Sequence, residues 1–154
     1  MSYERTRFVL LRALGFVYTA AFVSLAWQVL PLLGAHGITP AAREVADMLE
    51  YARSPWRALV LQPSLFWFVP PSDALLQGLA WLGVVLSLTL LLGVSHGALL
   101  LTLWLLYRSF VAIGQIWYGY GWELLLLEAG FLAIFAGSWR TLTPRTRWPP
   151  IQVW

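Results

Sequence analysis

Apolar residues run almost unbroken from Phe8 to Leu33, from Ala74 to Val94, from Gly97 to Trp117 and from Trp122 to Trp139. A single polar interval, residues 34–73, separates the first run from the second. Each run approaches the roughly 20 apolar residues that cross ~30 Å of hydrocarbon at ~1.5 Å per residue. The pattern predicts an all-α polytopic membrane protein: one membrane domain over residues 1–154, with four transmembrane helices at about 8–33, 74–94, 97–117 and 122–139. The first run is expected to be retained, because Ser24-Leu25-Ala26 makes a poor cleavage site and the apolar stretch continues past it.

Within residues 34–73 the period changes. Val45, Met48, Leu49 and Ala52 recur at i, i+3, i+4 and i+7, whereas Arg43, Glu44, Asp47 and Glu50 fall elsewhere, the signature of an amphipathic helix lying on the membrane surface. RALVLQPSLFWFVPPSD, from Arg57, is too apolar to float in water, and Pro63, Pro70 and Pro71 interrupt it too often for a crossing. It predicts an interfacial hook anchored by Phe66, Trp67 and Phe68. Val45, Met48 and Leu49 with those three aromatics form a candidate docking surface. Ser72 or Asp73 is the expected helix start after the double proline. The short links at 93–97 and 118–121 demand antiparallel neighbours.

Composition sharpens this picture. The 154 residues are 60% hydrophobic and 11% charged, against roughly 25% charged in a soluble domain, which leaves no room for a separate soluble catalytic domain. The net charge of +3 is carried by Arg residues beside apolar runs, so membrane lipid rather than nucleic acid is the expected partner. Arg5, Arg7, Arg12, Arg140, Arg145 and Arg147 fall on one side of the predicted membrane, and Arg43, Arg53 and Arg57 on the other. That asymmetry puts both termini in the cytoplasm and the polar interval outside. The absence of Lys suggests a GC-rich bacterial genome and hence a bacterial inner membrane, or the endoplasmic reticulum for a eukaryotic chain. There is no Cys, and His36 and His96 are isolated, so neither a metal site nor a cofactor is expected, and no catalytic residue stands out.

The charges inside the runs carry the candidate chemistry. Arg108 falls near the middle of the third run, where a charge costs ~3 kcal/mol or more unless it is paired or hydrated. Measured from the Tyr118–Gly121 turn, Arg108 and Glu128 lie about 15 and 10 Å deep, and the Arg stem can close the difference. Gln115 shares the helical face of Arg108, together with Leu101, Trp104 and Ala112. Gln28 lies at a comparable depth on the first run. Gln28, Arg108, Gln115, Glu123 and Glu128 are therefore expected to converge as an intramembrane polar cluster. Two readings stay open for Arg108 with Glu128: an ion pair that fixes helix register, worth 3–5 kcal/mol when one partner is removed, or a functional site. Glu123, in the first turn of its helix, is expected simply to meet the positive end of the helix dipole. The Gln residues read as interhelical hydrogen bonds, and the Trp residues as interface belts.

Three segments, LGFVYTAAFVSLAWQVLPLLGAHGITPA, PSLFWF and WELLLLEAGFLAIFAG, together resemble the N-terminal membrane region of the lipase maturation factor family, related to the membrane part of vitamin K-dependent carboxylases. Agreement is strongest in G-x-x-G-I-x-P-A at Gly34–Ala41 and W-E-x-L-L-L-E-x-G-F at Trp122–Phe131. The resemblance covers nearly the whole chain. It implies an all-helical membrane core and, for the eukaryotic members, a role in the endoplasmic reticulum helping secreted lipases fold and dimerise. Family members continue into further helices and a β-rich soluble domain, so a fragment, a split gene or a minimal relative is expected. The catalytic machinery of the carboxylases matches no residue here. Three functions follow as expectations: a membrane factor assisting the folding, maturation or export of a secreted or envelope protein such as a lipase; a small membrane oxidoreductase or quinone- or lipid-binding subunit; and a transporter or lipid-binding half-unit that pairs with another copy or another membrane chain to complete a cavity.

Overall fold

Residues 3–139 are described by a computed structural model of the chain. The basic tail with Arg140, Arg145 and Arg147 lies outside the described residues. All named elements are helical: α1 (Tyr3–Leu33), α2 (Ala41–Ala52), α3 (Pro55–Leu61), α4 (Asp73–Leu92), α5 (Gly97–Ile113) and α6 (Gly121–Ala136), with 3₁₀ turns at Leu65–Trp67 and Gln115–Trp117.

The long apolar runs become α1 and α4, both long and apolar enough to cross a membrane. Ser72 starts α4 as the sequence suggests, its hydroxyl accepting from the Leu75 amide at 3.3 Å. The four predicted crossings are thus matched in part. The third run stays helical only to Ile113, where Gly114 breaks it into the 3₁₀ turn, so α5 is an apolar helix of 17 residues and α6 has 16.

The most extensive contact in the molecule is between α1 and α4. Gly15 makes their close approach possible: a Cβ there would stand 2.9 Å from the Leu91 backbone nitrogen. Small residues at such a crossing let backbones meet where lipid supplies no hydrophobic drive, and polar side chains then join the helices directly. Gln77 donates to the Ala26 carbonyl at 3.0 Å, Thr19 to Ser87 at 3.1 Å, and Arg12 to the Leu90 carbonyl at 3.3 Å. Arg12 is buried against α4. It is 7% exposed, its guanidinium 4.5 Å from the centre of the Phe8 ring, and it satisfies a carbonyl in the last turn of α4.

Residues 34–72 form a layer over one end of this bundle, packed on α5. The Leu65 amide donates to the Ser109 hydroxyl at 3.0 Å, the Phe66 ring meets Phe110 edge-on at 5.4 Å, and the Trp117 indole donates to Thr39 at 2.8 Å. At the other end His96 caps α5, its ring nitrogen accepting from the Ala98 amide at 3.2 Å beside Trp139. This isolated histidine thus serves as a helix cap. Much of the outer face of α4 and α6 is bare apolar surface, including Val85, Leu92, Leu125, Leu132 and Phe135. Contiguous exposure of this kind marks a surface meant for lipid or a partner.

Candidate functional site

Between the layer and the α5/α6 pair lies a groove of about 680 Å³. Helical periodicity creates one wall: Trp104, Arg108, Ala112 and Gln115 fall on a single face of α5 and its continuation, as the spacing predicts, and all four line the groove. Glu128 and Phe131 line it from α6, and Glu44 and Gln62 from the layer. Leu101 is not part of it.

Arg108, Gln115 and Glu128 are therefore brought together, and the other two members of the expected cluster are not. Gln28 is exposed on α1 outside the groove. Glu123 is 2% exposed, and its Oε2 has no hydrogen-bond partner among the described residues. The expected assignment of burial is thus reversed. Glu128 is exposed at the groove wall, whereas Glu123 is enclosed by protein. The reason is rotational: α6 turns Glu123, Leu126, Leu127 and Gly130 inward, and Glu128 falls beside that stripe. Although Arg108 and Glu128 share the groove, no hydrogen bond or ion pair joins them, so the expected contact pair is not formed.

Sequence reasoning missed a set of buried phenols, two of which, Tyr107 and Tyr118, lie near Glu123. The hydroxyls of Tyr18, Tyr107 and Tyr118 are buried and, like Glu123 Oε2, have no hydrogen-bond partner among the described residues. The rings of Tyr18 and Tyr107 meet edge-on at 6.0 Å, and Gly130 makes room for the Tyr18 hydroxyl, which a Cβ there would overlap. In the turn before α6, burial and then the charge of Glu123 push the Tyr118 phenol up to about 12. The available signal was Tyr18 itself, spaced with Leu11, Leu14, Phe22 and Leu25 on the buried face of α1. The stripe reads as apolar core, and nothing local marks one member as polar.

The layer residues also depart from the expected docking surface. Val45, Phe66 and Trp67 are buried, Met48 and Leu49 half-buried, and Phe68 exposed. Phe66 holds the layer onto α5, and the apolar residues the layer leaves bare include Ile38, Tyr51, Trp56, Val60, Leu61, Leu65, Phe68 and Val69. On α2, burial and secondarily the neighbouring Asp47 raise the Glu44 carboxyl above its ordinary range. Among the described residues no group of three His, Asp or Glu could hold a metal ion.

Residues 5–154 match the family model for the lipase maturation factor transmembrane domain. The chain is 41% identical over 150 residues to bovine lipase maturation factor 1, covering 94% of this chain and 27% of that protein. It is 39% identical over 135 residues to human lipase maturation factor 1, covering 84% and 24%. Against mouse lipase maturation factor 2 the identity is 37% over 136 residues, covering 84% and 19%. The chain thus spans roughly a quarter or less of the length of these relatives. No solved structure matches it.

Proposed function

Because the chain belongs to the lipase maturation factor family, we propose that it acts as the membrane-embedded part of a factor that assists the maturation of a secreted lipase, with the α2–α3 layer as the surface that meets the client. The observation that carries this reading is the bare apolar face of that layer, where Tyr51 of α2 and Trp56, Val60 and Leu61 of α3 stand exposed. Such a patch on an extramembrane element suits transient capture of incompletely folded protein. The oxidoreductase reading gains nothing from the relatives, whose names speak of lipase maturation.

In this reading α1, α4, α5 and α6 all cross the bilayer. The 17 residues of α5 and 16 of α6 reach about 25 Å, a little short of ~30 Å of hydrocarbon, and Trp117, Trp122 and Trp139 at their ends lie where interface anchors belong. Both termini then share one face of the membrane and the α2–α3 layer lies on the other, with the layer facing the compartment through which the client is exported. Single cysteines placed at Arg43 and at Glu4 test the topology with a membrane-impermeant label. Only one of the two should react in sealed vesicles, and equal labelling would refute the four-crossing arrangement.

The function is tested by co-expressing the chain with a secreted lipase in cells deprived of their own maturation factor. Trp56→Glu with Val60→Glu should lower secreted lipase activity severalfold and abolish lipase crosslinking at the layer, with insertion and folding retained. Unchanged crosslinking in a folded double variant would remove the layer as the client surface.

A further inference from the structure

The groove between the layer and α5/α6 is ordered along the membrane normal. Arg108 lies five residues before the end of α5 and Glu128 seven after the start of α6, so their Cα atoms sit about 7 and 10 Å below the covered end of the bundle. With the ends of α5 and α6 near the hydrocarbon boundary, that depth falls in the outer third of the hydrocarbon, from which the long Arg stem reaches back toward the headgroups. Gln115 and Glu44 stand toward the mouth, and Trp104 and Phe131, with ring centres 5.6 Å apart, toward the floor. The walls therefore pass from amide and carboxylate, through a cation and a carboxylate on facing helices, to apolar rings. Arg108 and Glu128 do not neutralise each other by contact, although both face the same space. A half-buried guanidinium at this depth calls for an anion, and two carboxylates beside it call for a cation that can donate hydrogen bonds.

We propose that the groove binds the headgroup of a phospholipid with a primary amine, of the phosphatidylethanolamine class: Arg108 takes the phosphate, Glu128 and Glu44 take the ammonium, and the Trp104–Phe131 floor takes the start of an acyl chain. A zwitterion supplies both charges in one ligand: Glu44 at the mouth, Arg108 below it and the Trp104–Phe131 floor follow the order ammonium, phosphate, acyl chain, and Glu128 adds a second carboxylate from the facing helix. A primary ammonium has three N–H donors for the carboxylates, whereas the quaternary ammonium of phosphatidylcholine has none. This site rests on the charges of the groove and not on the lipase reading, so either can fail without the other.

The test uses the full chain in nanodiscs of phosphatidylcholine doped with phosphatidylethanolamine, its N,N-dimethyl derivative or phosphatidylglycerol, with retained lipid read by native mass spectrometry. The parent protein should retain phosphatidylethanolamine about tenfold over phosphatidylcholine, the dimethyl lipid falling between them, since charge-assisted hydrogen bonds of this kind are worth about one decade or more. Glu128→Gln should bring that ratio toward one, whereas Arg108→Gln should weaken retention of both zwitterionic lipids. Because the headgroup series needs no variant, the proposal stays testable if either variant misfolds. Equal retention of phosphatidylethanolamine and phosphatidylcholine by the parent overturns it, as does a preference for phosphatidylglycerol. Competition by soluble glycerophosphoethanolamine as strong as by the lipid would assign the groove to a free phosphoamine and reject the lipid. Displacement by unfolded lipase, with no headgroup preference, would assign it to the client and reject the lipid as well.

Discussion

The α1/α4 seam and the α5/α6 groove are both built from apolar helices carrying a few polar groups, and they treat those groups in opposite ways. Along the seam, Gln77, Thr19 and Arg12 each find a partner on the facing helix, two of them a backbone carbonyl, and Gly15 brings the backbones together. Along the groove, Arg108 and Glu128 face a common space without meeting, while Trp104 bonds across, its indole donating to the Leu127 carbonyl at 3.0 Å. A polar group in a membrane helix either joins helices or waits for something else, and its neighbours' size decides which. Small side chains close the first interface. At the second, Trp104, Leu124, Leu127 and Phe131 hold the walls apart.

The comparison breaks most readily at Gly15. Gly15→Val places branched methyls against the Leu91 backbone and should cost more than ~3 kcal/mol, seen as loss of the monodisperse folded peak in detergent. Retention of parental thermal stability would show that the seam is not close-packed there. Gly130→Ala, whose added Cβ would overlap the Tyr18 hydroxyl, should destabilise by about 1–3 kcal/mol. Combining it with Tyr18→Phe should recover part of that loss, and no recovery would locate the strain elsewhere.

Thr19→Val removes one bond of the seam while keeping shape, and should lower stability by about 0.6–1.7 kcal/mol in reversible denaturant unfolding. A neutral result would mean that Ser87, which also donates to the Val84 carbonyl at 2.9 Å, satisfies itself. At the groove the effects shrink. Because Arg108 and Glu128 are not in contact, Arg108→Gln and Glu128→Gln should each change stability by less than ~1 kcal/mol, and their double-mutant coupling should be near zero. Coupling of the 3–5 kcal/mol expected of a buried pair would mean that the groove closes on itself.

The smallest effect belongs to Glu44. Its carboxyl is raised in the folded chain, first by burial and then by Asp47, so its ionisation opposes folding and its contribution is most favourable at acid pH, being lost as pH rises through the folded value. Glu44→Gln should therefore stabilise slightly at neutral pH, by a few tenths of a kcal/mol at this partly exposed position, and not at all below the ordinary carboxylate range. A gain that persists at acid pH would point to the amide's own hydrogen bonds instead of charge.

The sequence by itself determined five of the six helices and several of their limits, because apolar run length, the period of α2 and the Ser72 cap are local properties that the backbone must obey, whereas α3 was read as part of the hook. It also determined that Trp104, Arg108, Ala112 and Gln115 share a face, and the family to which the chain belongs. The break at Gly114 was less legible, since an apolar run continues through it and only the turn chemistry of the following residues ends α5. Tertiary structure decided which way each helix turned its polar residues. Glu123 and Glu128 sit on one apolar helix in the same composition, yet packing against α1 and α5 enclosed the first and left the second at the groove wall. The same packing brought Tyr107 and Tyr118 near Glu123, set the Tyr18 hydroxyl against Gly130, and spent Phe66 of the hook on α5. Rotation about a helix axis depends on how side chains from distant parts of the chain fit together, and a helix that is apolar almost all round carries no moment from which that rotation could be read.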